Sequence, residues 1–257
     1  MRPASLISRC ARLRGSALMA VLAAGAAAAS ATASQTARLA ARFMPERLGA
    51  PTSMTVSFRI LSASGIPSPL TAVRLHYPEN LGLAISGLGT AICEPAVLEL
   101  NGPAGCPRDS TMGSGEAFAR FQVGPEVFSE SAALGVVAGP EREGFLGLLV
   151  SATGLSPVAA RIVMSSVLEP GLISLSVPLV PSLPEGEPVS VTGVDATLGG
   201  KFVYTRRVRG RIVRYRPRGI SLPRRCPPGG FPFSASFSFL DGTSASAAYS
   251  VPCPRRR

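Results

Sequence analysis

The chain has 257 residues and a formal net charge of +11, is 46% hydrophobic and 16% charged, and contains one histidine and no tryptophan. That length buries a substantial core as one large unit or two smaller ones. The single histidine excludes a His-Glu-x-x-His zinc helix. The absence of tryptophan argues against an aromatic-lined sugar cleft. Charge alone does not define an anionic partner, because arginine and alanine bias also reflects a GC-rich genome.

Arg2, Arg9, Arg12 and Arg14 precede an apolar run from Ala17 to Ala29, and Ala31-Thr32-Ala33 fits a signal peptidase site. Residues 1–33 therefore read as a secretory signal cut after Ala33 or slightly earlier. A retained anchor fits less well, since the run is Ala-rich, ends in small polar residues and is shorter than the ~20 residues of a span. Cys10 leaves with the signal. Residues 34–257 keep Cys93, Cys106, Cys226 and Cys253, and an even count in an exported chain predicts two disulfides. Of the three connectivities, local pairing is favoured: a Gly/Pro-rich loop separates Cys93 from Cys106, and Cys226 and Cys253 flank a hairpin. Each bridge is expected to contribute about 3 to 4 kcal/mol. Paired Cys-x-x-Cys spacing is absent, so no metal site is expected.

Short strands then follow one another. Arg38 to Phe43 ends at Met44-Pro45. Met54, Val56, Phe58 and Ile60 alternate with Thr55, Ser57 and Arg59, and Val73, Leu75 and Tyr77 alternate with Ala72, Arg74 and His76. His76 thus falls on a polar face, with no carboxylate or nucleophile tied to it by local spacing. From Leu81 to Gly115 glycine and proline dominate, and this reads as a loop with few regular elements. Its glycines lack the Lys-Ser/Thr pair of a P-loop and the long helix of a dinucleotide site, so no cofactor is expected. Ala117 to Val123, Ser131 to Ala138, Phe145 to Ala152, Val158 to Met164, Leu172 to Leu179 and Val189 to Leu198 read as further strands. Phe145 to Ala152 is apolar on both parities, which predicts a strand covered on both faces. Leu183-Pro184-Glu185-Gly186 lies mid-chain and is not a wall-sorting signal, and no anchor is encoded at the carboxyl end.

Between Lys201 and Arg225 stand ten basic residues and no acidic one. With Arg209-Gly210 as a tight turn, Phe202 to Val208 and Arg211 to Arg216 form a hairpin interleaved with Tyr204 and Tyr215. Such a surface attracts phosphate, sulfate, uronate or carboxylate groups. It also serves as a solvated edge that resists aggregation, with some arginines paired to the acidic residues before Asp195.

The strictest alternation runs from Cys226 to Cys253. Phe231, Phe233, Ala235, Phe237 and Phe239 take one parity, and Pro232, Ser234, Ser236 and Ser238 the other. A two-residue Asp-Gly turn would oppose Phe237 to Ser246 and mix the faces. A three-residue loop, Leu240-Asp241-Gly242, opposes Phe237 to Ala245, Phe233 to Tyr249 and Phe231 to Val251, with Gly242 left-handed. The same register brings Cys253 near Cys226.

Many short strands with turn clusters and no long 3.6 period predict an all-β, disulfide-stapled antiparallel β-sandwich, immunoglobulin-like or jelly-roll-like. It forms one unit over 34–257 or two with a boundary near residue 130. No Gly-x-Ser-x-Gly elbow is present. Glu94, Asp109, Glu116, Glu126 and Glu130 leave a secreted hydrolase with a carboxylate pair as the alternative to a non-catalytic module.

Gly87-Leu88-Gly89-Thr90-Ala91-Ile92-Cys93 with Gly105-Cys106-Pro107, and Tyr215-Arg216-Pro217-Arg218-Gly219-Ile220 with Cys226-Pro227-Pro228-Gly229-Gly230-Phe231-Pro232-Phe233, carry a resemblance. The pattern resembles a group of exported β-rich proteins of GC-rich Gram-positive (actinobacterial) bacteria that have no assigned activity. It implies export and a β-rich fold and transfers no catalytic residue. The expected role is a secreted or envelope-associated structural or binding module without a membrane span in the mature chain. Arg206, Arg207, Arg209, Arg211, Arg214 and Arg216 would contact anionic envelope polysaccharide. Nucleic acid is not expected, because an exported protein seldom meets it and no motif for it is present.

Overall fold

The computed structural model describes residues 35–63, 65–83, 91–154, 159–180, 188–199, 203–215 and 219–254. The expected signal lies outside them. The strands are β1 (Gln35–Met44), β2 (Pro51–Ser62), β3 (Leu70–His76), β4 (Gly82–Leu83), β5 (Thr111–Val123), β6 (Glu126–Arg142), β7 (Phe145–Gly154), β8 (Arg161–Glu169), β9 (Leu172–Ser176), β10 (Ser190–Gly199), β11 (Tyr204–Val208), β12 (Arg211–Tyr215), β13 (Ile220–Ser221), β14 (Phe231–Phe239) and β15 (Ser244–Val251). Among the described residues one short α-helix, α1 (Pro95–Asn101), lies between β4 and β5.

The all-β, antiparallel, disulfide-stapled class is what the structure has. Hydrogen-bonded neighbours follow the order β15-β14-β3-β9-β8-β7-β6-β5-β10-β2, and β1 and β13 share the far edge of β2. The path nearly returns to its start. Gln35 Nε2 on β1 donates to Asp241 Oδ2 at 3.1 Å and to Thr243 Oγ1 at 2.9 Å in the β14–β15 turn. At the other end of β1, the Phe43 ring lies 5.4 Å from Phe231 and 5.9 Å from Phe233. The result is a large antiparallel sheet that is nearly a barrel. Residue 130 falls inside β6, which pairs with β5 and β7.

Alternation decides which side chains enter the interior. Along β14 burial and exposure strictly alternate, with the phenylalanine face inward. Its partner β15 has the predicted register: Phe231↔Val251, Phe233↔Tyr249 and Phe237↔Ala245, with Gly242 at φ 79°. Each fully buried phenylalanine stabilises by roughly 1.5 to 3 kcal/mol. Tyr249 departs from the pattern and is 39% exposed. Tyr77 closes one end of the sheet, its hydroxyl donating to the Glu169 carbonyl at 2.6 Å, and burial pushes that phenol above its ordinary range.

As the two-parity hydrophobicity predicts, β7 is covered on both faces. Leu148 enters the main core, while Leu149 packs with Leu98 of α1, Val137 of β6 and the Cys93–Cys106 bridge. Within the segment read as a loop, the described residues 91–115 are more regular than the sequence suggests. Pro95 starts α1 at a position where no amide donor is lost, and Leu98, fully buried, anchors the helix to the outer face of β6 and β7. β5 begins at Thr111, inside the stretch to Gly115 that reads as a loop in the sequence. A Cβ at Gly115 would run into the Asp195 carbonyl oxygen, so that glycine allows close approach of β10 rather than a turn.

Candidate functional site

The basic segment does form a hairpin. β11 and β12 pair as Thr205↔Arg214, Arg207↔Ile212 and Val208↔Arg211, and make a two-stranded sheet apart from the large one. Arg209 and Gly210 both have positive φ, 48° and 77°. Two consecutive left-handed residues are what a type I′ hairpin turn requires, and its twist matches the strands. The register puts Arg207 and Arg214 on one face and Arg211 on the other, so positive charge is presented on both faces. Arg207, Arg209, Arg211 and Arg214 are exposed, and none of them is in an ion pair among the described residues. Ile212 is 71% exposed between them. The Arg206 side chain and all of Lys201, Arg216 and Arg218 lie outside the described residues.

Glu185 and Glu187, the acidic residues shortly before Asp195, lie outside the described residues, and Asp195 itself is engaged within the large sheet. Arg59 on β2 grips Asp195 on β10 through two bonds, Nη2 to Oδ2 at 2.6 Å and Nη1 to Oδ1 at 3.2 Å. The guanidinium also sits 4.8 Å over the Phe118 ring of β5. The hydrogen bond from Arg59 holds the Asp195 carboxyl below its ordinary range. Three neighbouring strands are thereby clamped on the outer face.

Both predicted cysteine pairs are bonded, Cys93 to Cys106 and Cys226 to Cys253. The first fastens α1 against the sheet, where the Cys93 amide also donates to the Ala138 carbonyl at 2.8 Å. The second closes the open end of the β14–β15 hairpin. His76 is exposed on β3 between Ser234 and Leu172.

The five mid-chain carboxylates are spread over four places in the chain, with Glu126 and Glu130 sharing β6. Glu94 precedes α1, Asp109 lies in a single 3-10 turn, and Glu126 opens β6. Glu116 is exposed on the outer face of β5, opposite Asp195, whereas Glu130 is buried and shares the inward parity of Leu134 and Val136. Among the described residues no three of His, Cys, Asp or Glu gather as a metal site, and no helix is long and apolar enough to cross a membrane.

One feature has no counterpart in the sequence reading. Inside the nearly closed sheet is a cavity of about 180 Å³. β1, β2, β3, β5 to β10 and β14 each contribute inward side chains to it. All are apolar except Ser166, whose hydroxyl is spent on the Ser174 carbonyl at 2.5 Å. An empty apolar void of that size costs about 4 kcal/mol at ~24 cal/mol per Å³. The only sequence signal is alanine at inward positions: Ala117, Ala152, Ala196 and Ala235 stand where Leu or Ile would fill the space.

Compared with protein-family models, curated proteins and solved structures, the chain matches none.

Proposed function

We infer that the chain is a non-catalytic structural or binding module of the cell envelope, exported through its N-terminal segment, and that the β11–β12 hairpin contacts anionic polymers. The observation that carries this reading is a two-stranded hairpin outside the large sheet, with Arg207, Arg209, Arg211 and Arg214 exposed and outside any ion pair among the described residues. An arginine fork matches carboxylate, sulfate and phosphate oxygens in pairs. Charge on both faces of a narrow ribbon suits a flexible polyanion that lies along or wraps it better than a small anion held in a pocket. The two bridged cysteine pairs and the likeness to exported β-rich proteins support an oxidising compartment.

The test is binding of the oxidised protein to anionic and neutral envelope polysaccharides across a salt series, beside a variant with Arg206, Arg207, Arg209, Arg211, Arg214 and Arg216 changed to serine. Binding should be confined to the anionic polymers and weaken steeply as the screening length shrinks below ~10 Å above 0.1 M salt. The variant should lose it. Equal behaviour of wild type and variant would make the arginines a solvated face and defeat the reading.

A further inference from the structure

We propose that the interior cavity is a binding site for a single hydrocarbon chain. The site is independent of the hairpin and of the function inferred for it. Three properties of the cavity point to this ligand class.

The first is its chemistry. With Ser166 already bonded to the Ser174 carbonyl, the lining offers no free polar atom to water or to a polar ligand. Apolar cavities of ~150 Å³ stay dry and take up benzene. At about 180 Å³ this one accommodates roughly seven carbons on the same scale, and about ten together with an adjoining space of about 90 Å³.

The second is its placement. The β14 side packs Phe58 against Phe237 at 4.9 Å and Phe43 against Phe231, so this sequence fills space with large side chains where it needs to. The void lies where β5, β7, β10 and β14 carry Ala117, Ala152, Ala196 and Ala235 inward. A random packing fault would not draw alanines from four strands to one space.

The third is its polarity from end to end. Towards the Phe43, Phe231 and Ile220 end the interior is filled and closed. Towards the other end it adjoins a smaller cavity of about 90 Å³, which shares Ala117, Ala152 and Ile162 with it. Among the described residues Glu130 is the only charged side chain lining that second space. A ligand would therefore lie tail-inward, with its polar end beside Glu130.

The experiment uses the purified oxidised protein and the neutral fluorescent probe naphthalene, of ten carbons, displaced by decanol, decanoic acid or a ten-carbon lysophosphatidylcholine. Saturable one-to-one probe binding is expected, displaced by decanol. Displacement by decanoic acid but not the lysolipid would identify a free chain as the source, and displacement by the lysolipid a lipid tail. Ala152→Leu and Ala196→Leu should each weaken probe binding at least tenfold, while Ala133→Leu on the exposed face of β6 and the six-arginine serine variant leave it unchanged. Should the leucine variants not fold, methyl NMR of the wild type decides. Decanol must shift Val150, Ile162 and Leu175 and spare the exposed Ile92 and Leu100. Absence of saturable binding, shifts confined to Ile92 and Leu100, or folded leucine variants that bind like wild type would overturn the proposal.

Discussion

Replacing each cysteine pair by alanine sets chain entropy against burial. The bridges close separations of 13 residues for Cys93–Cys106 and 27 for Cys226–Cys253. In the loop-entropy relation these stabilise by about 2.9 and about 3.5 kcal/mol, so entropy alone ranks the outer bridge as the more valuable. Burial reverses the order. Cys93 is fully buried and Cys106 nearly so, in a cluster with Leu98, Val137 and Leu149, whereas Cys253 is exposed. Two buried sulfur atoms, each about the size of a methylene, add about 2 kcal/mol of transfer and cavity cost. Loss of the inner pair should therefore cost about 5 kcal/mol and loss of the outer pair about 3.5. Urea unfolding under oxidising conditions measures both. Extrapolated free energies must be compared instead of midpoints, because removing a cross-link expands the unfolded chain and changes the slope. An outer-pair variant that loses as much as the inner-pair variant would refute the argument that packing around α1 decides the ranking.

Two further outcomes follow from single side chains. Phe237→Ala removes a fully buried ring that lies 4.9 Å from Phe58 and should cost about 3 to 5 kcal/mol. Tyr249→Ala, on the same hairpin but 39% exposed, should cost under about 1 kcal/mol in the same denaturation assay, and equal losses would contradict the observed burial. The carboxyl of Asp195 is held below its ordinary value by Arg59, so its contribution is present above the ordinary carboxylate range and is lost as pH falls through the depressed value. Both partners are about two-fifths exposed, which limits the pair to about 0.2 to 1 kcal/mol. The stability gap between wild type and Asp195→Asn should accordingly close on acidification below that range, and a gap that persists in acid would assign the loss to something other than the ion pair.

What was legible in the sequence is what local parity decides. The β14–β15 register could be read because slipping by one residue would expose four phenylalanines, and the β11–β12 turn because only a residue such as glycine accepts the second left-handed position. The bridges followed from local pairing across a loop and a hairpin. Helix α1 was hidden for the opposite reason. With seven residues and Leu98 its only buried side chain, it has no periodic stripe of its own, and the outer face of β6 and β7 holds it in place. Gly115 was misleading, since a glycine that admits a neighbouring strand looks the same in sequence as one that makes a turn. The cavity lay furthest out of reach. Whether an inward alanine meets a large neighbour or an opening depends on strands far apart in the chain facing one another, and no local pattern encodes that.

The seam where β1 meets the β14–β15 hairpin bears on when the molecule can take shape. Among the described residues the Phe43 ring has its aromatic neighbours on β14, and the Gln35 side-chain amide donates to residues 241 and 243. Separations of roughly two hundred residues carry a large loop-closure penalty and belong to slow, non-local folding. The first strand thus waits for nearly the whole chain to be synthesised before its inward face is covered. The seam is the last part of the wall to be sealed, since its two halves come from opposite ends of the described chain.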